Sequence, residues 1–179
     1  MAHRRGTVRL AALTAGLALL AGAAPAAGVA SPSDQSGGGR DPLLWATVNV
    51  CDTVGHPDGM GVRGSMPGTG DRRDELFMRL QLQFLRRSDG TWHNVGRAGD
   101  SGFIFVGNGA ARVRQAGRTF TLTPPDPDQP PFLMRGLVTF EWRRAGVVLR
   151  RARRFTGSGH PGTGGADPPN YSAPTCSIR

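Results

Sequence analysis

Lysine is missing from this 179-residue chain; all 22 of its strongly basic residues are arginine. Such avoidance, alongside abundant Ala, Gly and Pro, reads as GC-rich coding rather than selection for phosphate-gripping forks, so arginine content alone says little about ligands. Cysteine is scarce. Cys51 and Cys176 are the only two, and no CxxC or cysteine-centred motif supports redox or nucleophilic thiol chemistry. Four histidines are present, but no HxH or HExxH spacing sets two on one face, so neither a metal site nor a cofactor is expected. No window keeps apolar residues at helical spacing through three turns, and there is no internal repeat. No apolar run reaches the roughly 20 residues that cross a bilayer as a helix.

What is present begins with an export signal. Residues 1–9 are short and basic, residues 10–24 are uncharged and rich in Leu, Ala and Gly, and small residues follow at Ala24-Pro25-Ala26 and Gly28-Val29-Ala30. This order predicts a signal peptide over residues 1–30 and an extracellular protein. Arg4-Arg5 is a weak twin-arginine match, because Thr7 stands where a large apolar residue is expected. No cysteine lies near the cleavage region to carry a lipid, and no stable membrane anchor is expected. Cleavage leaves 149 residues, with 19 Arg against 13 acids and a formal charge of +6. That is one domain, large enough to bury about 70% of its unfolded surface. In an oxidising compartment the cysteine pair reads as a disulfide. It would close a loop of about 125 residues, for which chain entropy gives about 4–5 kcal/mol.

Residues 31–42 (SPSDQSGGGRDP) have no apolar period and read as a flexible leader, with a single domain following over 43–179. Residues 76–84 alternate: Leu76, Met78, Leu80, Leu82 and Phe84 share one face, and Phe77, Arg79, Gln81 and Gln83 the other. Asp89-Gly90 then predicts a hairpin turn into 91–95. Residues 132–142 alternate again, with Arg135, Thr139, Glu141 and Arg143 opposite Met134, Val138, Phe140 and Trp142. Further strands are expected at 44–51, 61–66, 102–106, 118–123 and 147–156, the last an edge strand because its arginines point both ways. About seven short strands at this length predict an all-β antiparallel sandwich of immunoglobulin or fibronectin type III character. The Gly/Pro-rich stretch 157–174 would return Cys176 to the first strand and tie the ends together.

Chemistry-bearing motifs are thin. Gly99-Asp100-Ser101-Gly102, preceded by His56 and Asp74, has the residue types of a serine protease triad without the surrounding segments, so a hydrolase using Ser101 is an alternative reading. Residues 157–162 satisfy GxGxxG, but Pro161 and the following Gly/Pro run cannot open the helix that would hold a pyrophosphate. The densest charge feature is Arg143, Arg144, Arg150, Arg151, Arg153 and Arg154 on one expected hairpin, a candidate anion-binding patch. An exposed 124–131 loop would serve a protein-binding or inhibitor module.

Taken together, Cys51-Asp52-Thr53, Ser65-Met66-Pro67-Gly68, Ser88-Asp89-Gly90-x-Trp92-His93-Asn94, Gly99-Asp100-Ser101-Gly102-Phe103, Gln115-Ala116-Gly117-Arg118-Thr119-Phe120 and Phe140-Glu141-Trp142-Arg143 give the chain a family look. It resembles a group of short secreted proteins of actinobacteria whose function is uncharacterised. The resemblance runs from about residue 45 to the end; it implies export and a compact domain with one Cys pair, and assigns no activity. The sequence reading is therefore a secreted, non-enzymatic binding module whose partner is an anionic extracellular or cell-wall polymer.

Overall fold

The computed structural model describes residues 41–179. The expected signal peptide and residues 31–40 of the expected leader lie outside the described residues. Asp41 and Pro42, at the leader's end, form a turn in which Asp41 accepts the backbone N–H of Leu43 and of Leu44.

The described chain is all-β, with nine strands: β1 Trp45–Thr53, β2 His56–Pro67, β3 Asp74–Arg86, β4 Thr91–Asn94, β5 Asp100–Asn108, β6 Val113–Thr121, β7 Phe132–Arg144, β8 Val147–Phe155 and β9 Cys176–Ile178. A single 3-10 turn, Arg97–Gly99, precedes β5. All strand pairs are antiparallel, in a small sheet of order β1-β2-β6 and a large sheet built around β3 and β7. Two edges of the large sheet are broken lines. β4 and β5 pair end to end along the same side of β3, and β8 and β9 along the same side of β7. Nine segments thus form seven lines, which reconciles the count with the expected seven. With β1, β2 and β6 in one sheet and β3, β7 and β8 in the other, the arrangement follows the two-sheet immunoglobulin scheme.

The period-2 faces decide which side is inside. Leu76, Met78, Leu80 and Leu82 of β3 and Val138, Phe140 and Trp142 of β7 are buried, meeting Val48, Met60, Val62, Met66 and Phe120 of the small sheet. The Trp142 indole N–H donates to the Pro67 carbonyl at 2.9 Å, giving the buried ring its polar partner. The sheets approach so closely at Gly136 that a Cβ there would stand 2.9 Å from Val62. At the β7–β8 turn, Ala145 and Gly146 both take positive φ, the geometry of a two-residue hairpin whose twist suits the flanking strands.

The segment 156–175 is the long return that the sequence predicts, and it does more than connect. It bonds the free edge of β1 (Gly157 N–H to Ala46 O, Asp167 N–H to Asn49 O, and a reciprocal pair between Val48 and Ala173) and so closes an otherwise open edge. It also covers the outer face of the small sheet. There Thr47 Oγ1 donates to Gly157 O at 2.7 Å, Asn49 Nδ2 to Gly165 O at 3.0 Å and Arg63 Nη1 to Gly164 O at 2.7 Å. The Cys51–Cys176 disulfide, with Cα atoms 5.4 Å apart, then ties β1 of the small sheet to β9 of the large one.

Candidate functional site

The six arginines of the expected patch divide between faces, with Arg143, Arg151 and Arg153 together on the outer face of the large sheet. Alternation sends Arg151 and Arg153 to the outer face of the large sheet, while Arg150 lies over the Trp142 ring at 4.5 Å and Arg154 turns toward Trp45 and His160. Arg144 is engaged by Asp71 and by buried Asp74, at 2.9 and 2.6 Å. Arg143 and Arg151 share Glu141, which is 1% exposed: Nε of each donates to one carboxylate oxygen at 2.7 Å. A buried carboxylate is tolerated when both its oxygens are satisfied in this way. Alternation therefore splits the patch, because neighbours on a strand face opposite sides.

What the fold assembles instead is a broad outer face on the large sheet. Register places Asp100, Gln81, Leu137 and Phe155 on one rung, Phe103, Arg79, Thr139 and Arg153 on the next, and Phe105, Phe77, Glu141 and Arg151 on a third. Below the first rung, Asn94, Gln83 and Arg135 align, with Trp92 beside them. Five arginines (79, 135, 143, 151, 153) face three carboxylates (Glu75, Asp100, Glu141), an excess of two positive charges.

Rings and guanidinium groups interleave across this face. Arg135 lies 4.3 Å from the Trp92 centroid and 3.8 Å from that of Phe155; Arg143 lies 4.1 Å from Phe77 and 4.8 Å from Phe103. Guanidinium–ring stacking holds flexible side chains flat against the sheet. Burial pulls Arg135 below the usual arginine range. Arg79 is raised, first by its hydrogen bonds to Asp100, and the same bonds hold the Asp100 carboxyl below its ordinary value. Between these groups opens a cleft of about 340 Å³, lined by Arg79, Gln81, Gln83, Asn94, Phe103, Leu137, Thr139, Arg151 and Arg153.

The residues of the triad reading are kept apart. His56 and Pro67 begin and end β2, a separation of about 35 Å at strand rise. Asp74 lies near the Pro67 end, where it takes the Thr69 hydroxyl at 2.6 Å and Arg144; His56 pairs with Asp167 at 3.1 Å. Ser101 accepts the Leu80 N–H at 2.9 Å and donates to Gly102 O at 2.7 Å. Asp100 and Ser101 lie within β5, and His56 and His93 lie within β2 and β4. No group of three His, Cys, Asp or Glu side chains suited to a metal gathers among the described residues. No helix among them is long and apolar enough to cross a membrane.

The 124–131 loop joins the two sheets at one end of the sandwich, turning where Gln129 N–H meets Asp126 O at 2.8 Å. Beside it is an apolar cavity of about 360 Å³ lined by Phe84, Val95, Leu122, Phe132 and Met134 among others.

Compared with known proteins, the chain matches no family model, and no curated protein matches it. Among solved structures, a β-glucuronidase from Bacteroides uniformis is similar at 15% identity and a TM-score of 0.30, over 63% of this chain and 12% of that one. A likeness of that size says nothing about what this chain does.

Proposed function

We propose that the chain is exported and acts as a binding module without chemistry of its own, holding an anionic extracellular polymer along the outer face of its large sheet. The observation that carries this reading is the face itself. No described segment covers it, it has more arginines than acids, and its arginines alternate with aromatic rings across four strand lines. Charge gives such a surface reach, and the rings give contact area that salt does not screen. The separation of His56, Asp74 and Ser101 supports a non-catalytic role.

A salt series tests it. Purified protein is incubated with cell-wall polymer, a uronic acid polymer and DNA, and the retained fraction is measured as ionic strength rises. Retention at low salt that falls with salt, and falls further in an Arg79→Ala/Phe103→Ala double variant, is the expected result. Absence of retention at low salt would falsify the reading, as would full retention by the double variant.

A further inference from the structure

We infer that the repeating unit of that polymer is a sugar acid whose carboxylate is seated on the Nη1 edges of Arg79 and Arg151. The inference rests on the outer face being the polymer-binding surface. Asp100 grips Arg79 from the side, with Nε 2.9 Å from Oδ1 and Nη2 on Oδ2. Glu141 grips Arg151 through Oε1 alone, with Nε and Nη2 at 2.7 and 2.6 Å, its other oxygen being held by Arg143. Each acid engages Nε and Nη2 of its guanidinium, so the Nη1 edge is what remains for an incoming acceptor. Both arginines line the same cleft. A guanidinium already fixed by a carboxylate loses little freedom when a ligand arrives, and its planar donors match a carboxylate.

The rest of the cleft points to a sugar rather than a bare phosphate. Gln83 takes the Arg135 Nε–H at 2.9 Å and passes its own N–H to Asn94 Oδ1 at 3.0 Å, which leaves the Asn94 amide N–H groups as donors at the cleft. Gln81 gives its N–H to Asp100, leaving its carbonyl as an acceptor, and Thr139 adds a hydroxyl. Acceptors are wasted on a phosphate ester but needed for sugar hydroxyls, which both donate and accept. Phe103 forms a wall on which the apolar C–H face of a sugar ring can lie. The rung from Phe103 through Arg79 and Thr139 to Arg153 spans about 14 Å at ordinary strand spacing, enough for a short oligosaccharide.

Titration against four probes at matched salt separates the outcomes: polygalacturonate, its fully methyl-esterified form, inorganic polyphosphate and double-stranded DNA. The expected result is binding to polygalacturonate about 10-fold or more tighter than to the other three, the size of one charged hydrogen-bonded contact. Asp100→Asn is the sharper arm. It raises the net charge by one, so diffuse attraction predicts tighter binding, whereas loss of the grip on Arg79 predicts binding weakened by about 10-fold. Arg79→Lys keeps the charge and should weaken binding similarly, with thermal melts confirming that both variants remain folded. Equal or tighter binding of polyphosphate or DNA, or tightening by Asp100→Asn, overturns the sugar-acid seat while leaving the polymer-binding face intact. Failure of all four probes to bind defeats the proposed function itself.

Discussion

On the outside of the small sheet, Thr47 and Asn49 are 0% and 6% exposed beneath the protein's own 156–175 segment; on the outside of the large sheet, Phe103 and Phe105 stand 37% and 59% exposed. The two faces solve the same problem differently. Thr47, Asn49 and Arg63 on the small sheet are satisfied from above, by backbone carbonyls of the return segment, and a cover is required to supply them. Those on the large sheet are satisfied sideways, Arg79 by Asp100, Arg143 and Arg151 by Glu141, and Arg135 by Gln83. Lateral pairing needs no cover. It leaves a partly charged surface with its side chains mutually paired and, among the described residues, no cover, which is the condition for a binding face.

The largest break in this contrast comes from the disulfide. Replacing Cys51 and Cys176 with Ser should cost about 4–5 kcal/mol, and hydrogen exchange should accelerate in β9 and along 157–173 before the β3–β7 centre. An unchanged melting temperature would show that the return segment holds itself in place. Asn49→Ala removes the Nδ2 hydrogen bonds to Gly164 O and Gly165 O beneath the cover and should cost about 2 kcal/mol, with faster exchange confined to the covered side. If exchange rises equally on both faces, the cover is not an independent unit. On the open face, Phe105→Ser should shift stability by no more than about 0.5 kcal/mol, because the ring is already largely in water; polymer retention should fall instead.

Acid should separate the two regions as well. Burial holds His160, stacked on Trp45 at 4.3 Å, below its ordinary value of 6.5. The unfolded chain then takes up its proton first, so the covered side loses stability as pH falls through about 6.5, and His160→Phe should flatten that limb. Asp100 is depressed below 3.8 by Arg79, so its contribution is complete above the unfolded value and is lost only as pH drops through the lower folded one. Asp100→Asn should therefore lower stability above about pH 4, lose that difference from the parent as pH falls further, and leave the His160 limb untouched.

Much of this was legible in one dimension. The alternation of 76–84 and 132–142 named both faces of β3 and β7 correctly, down to Arg79, Gln81, Gln83, Arg135, Thr139, Glu141 and Arg143 on the outside. Asp89-Gly90 marked its turn, with Gly90 at positive φ. The start of β6 was missed, because Val113–Gly117 carries no apolar alternation and becomes a strand through nine unbroken pairs with β2. β9 is three residues long, too short for any pattern, and is held by β7 and the disulfide. The arginine patch is split, Arg143, Arg151 and Arg153 on the outer face and the others away from it, because a count along the chain ignores which side of the sheet each residue takes.

Local rules determined the class of the fold, since period-2 burial and turn chemistry act over a few residues and read directly from residue types. The two cysteines likewise predicted their own bond. Which arginines meet which rings and acids was decided only by register between strands that lie far apart in the chain, Arg79 with Phe103 and Thr139, Arg135 with Gln83, Glu141 with Arg151. The covering of one face and the opening of the other was decided by the path of residues 156–175, whose Gly/Pro-rich composition allows many routes until β1 supplies the hydrogen bonds that select one.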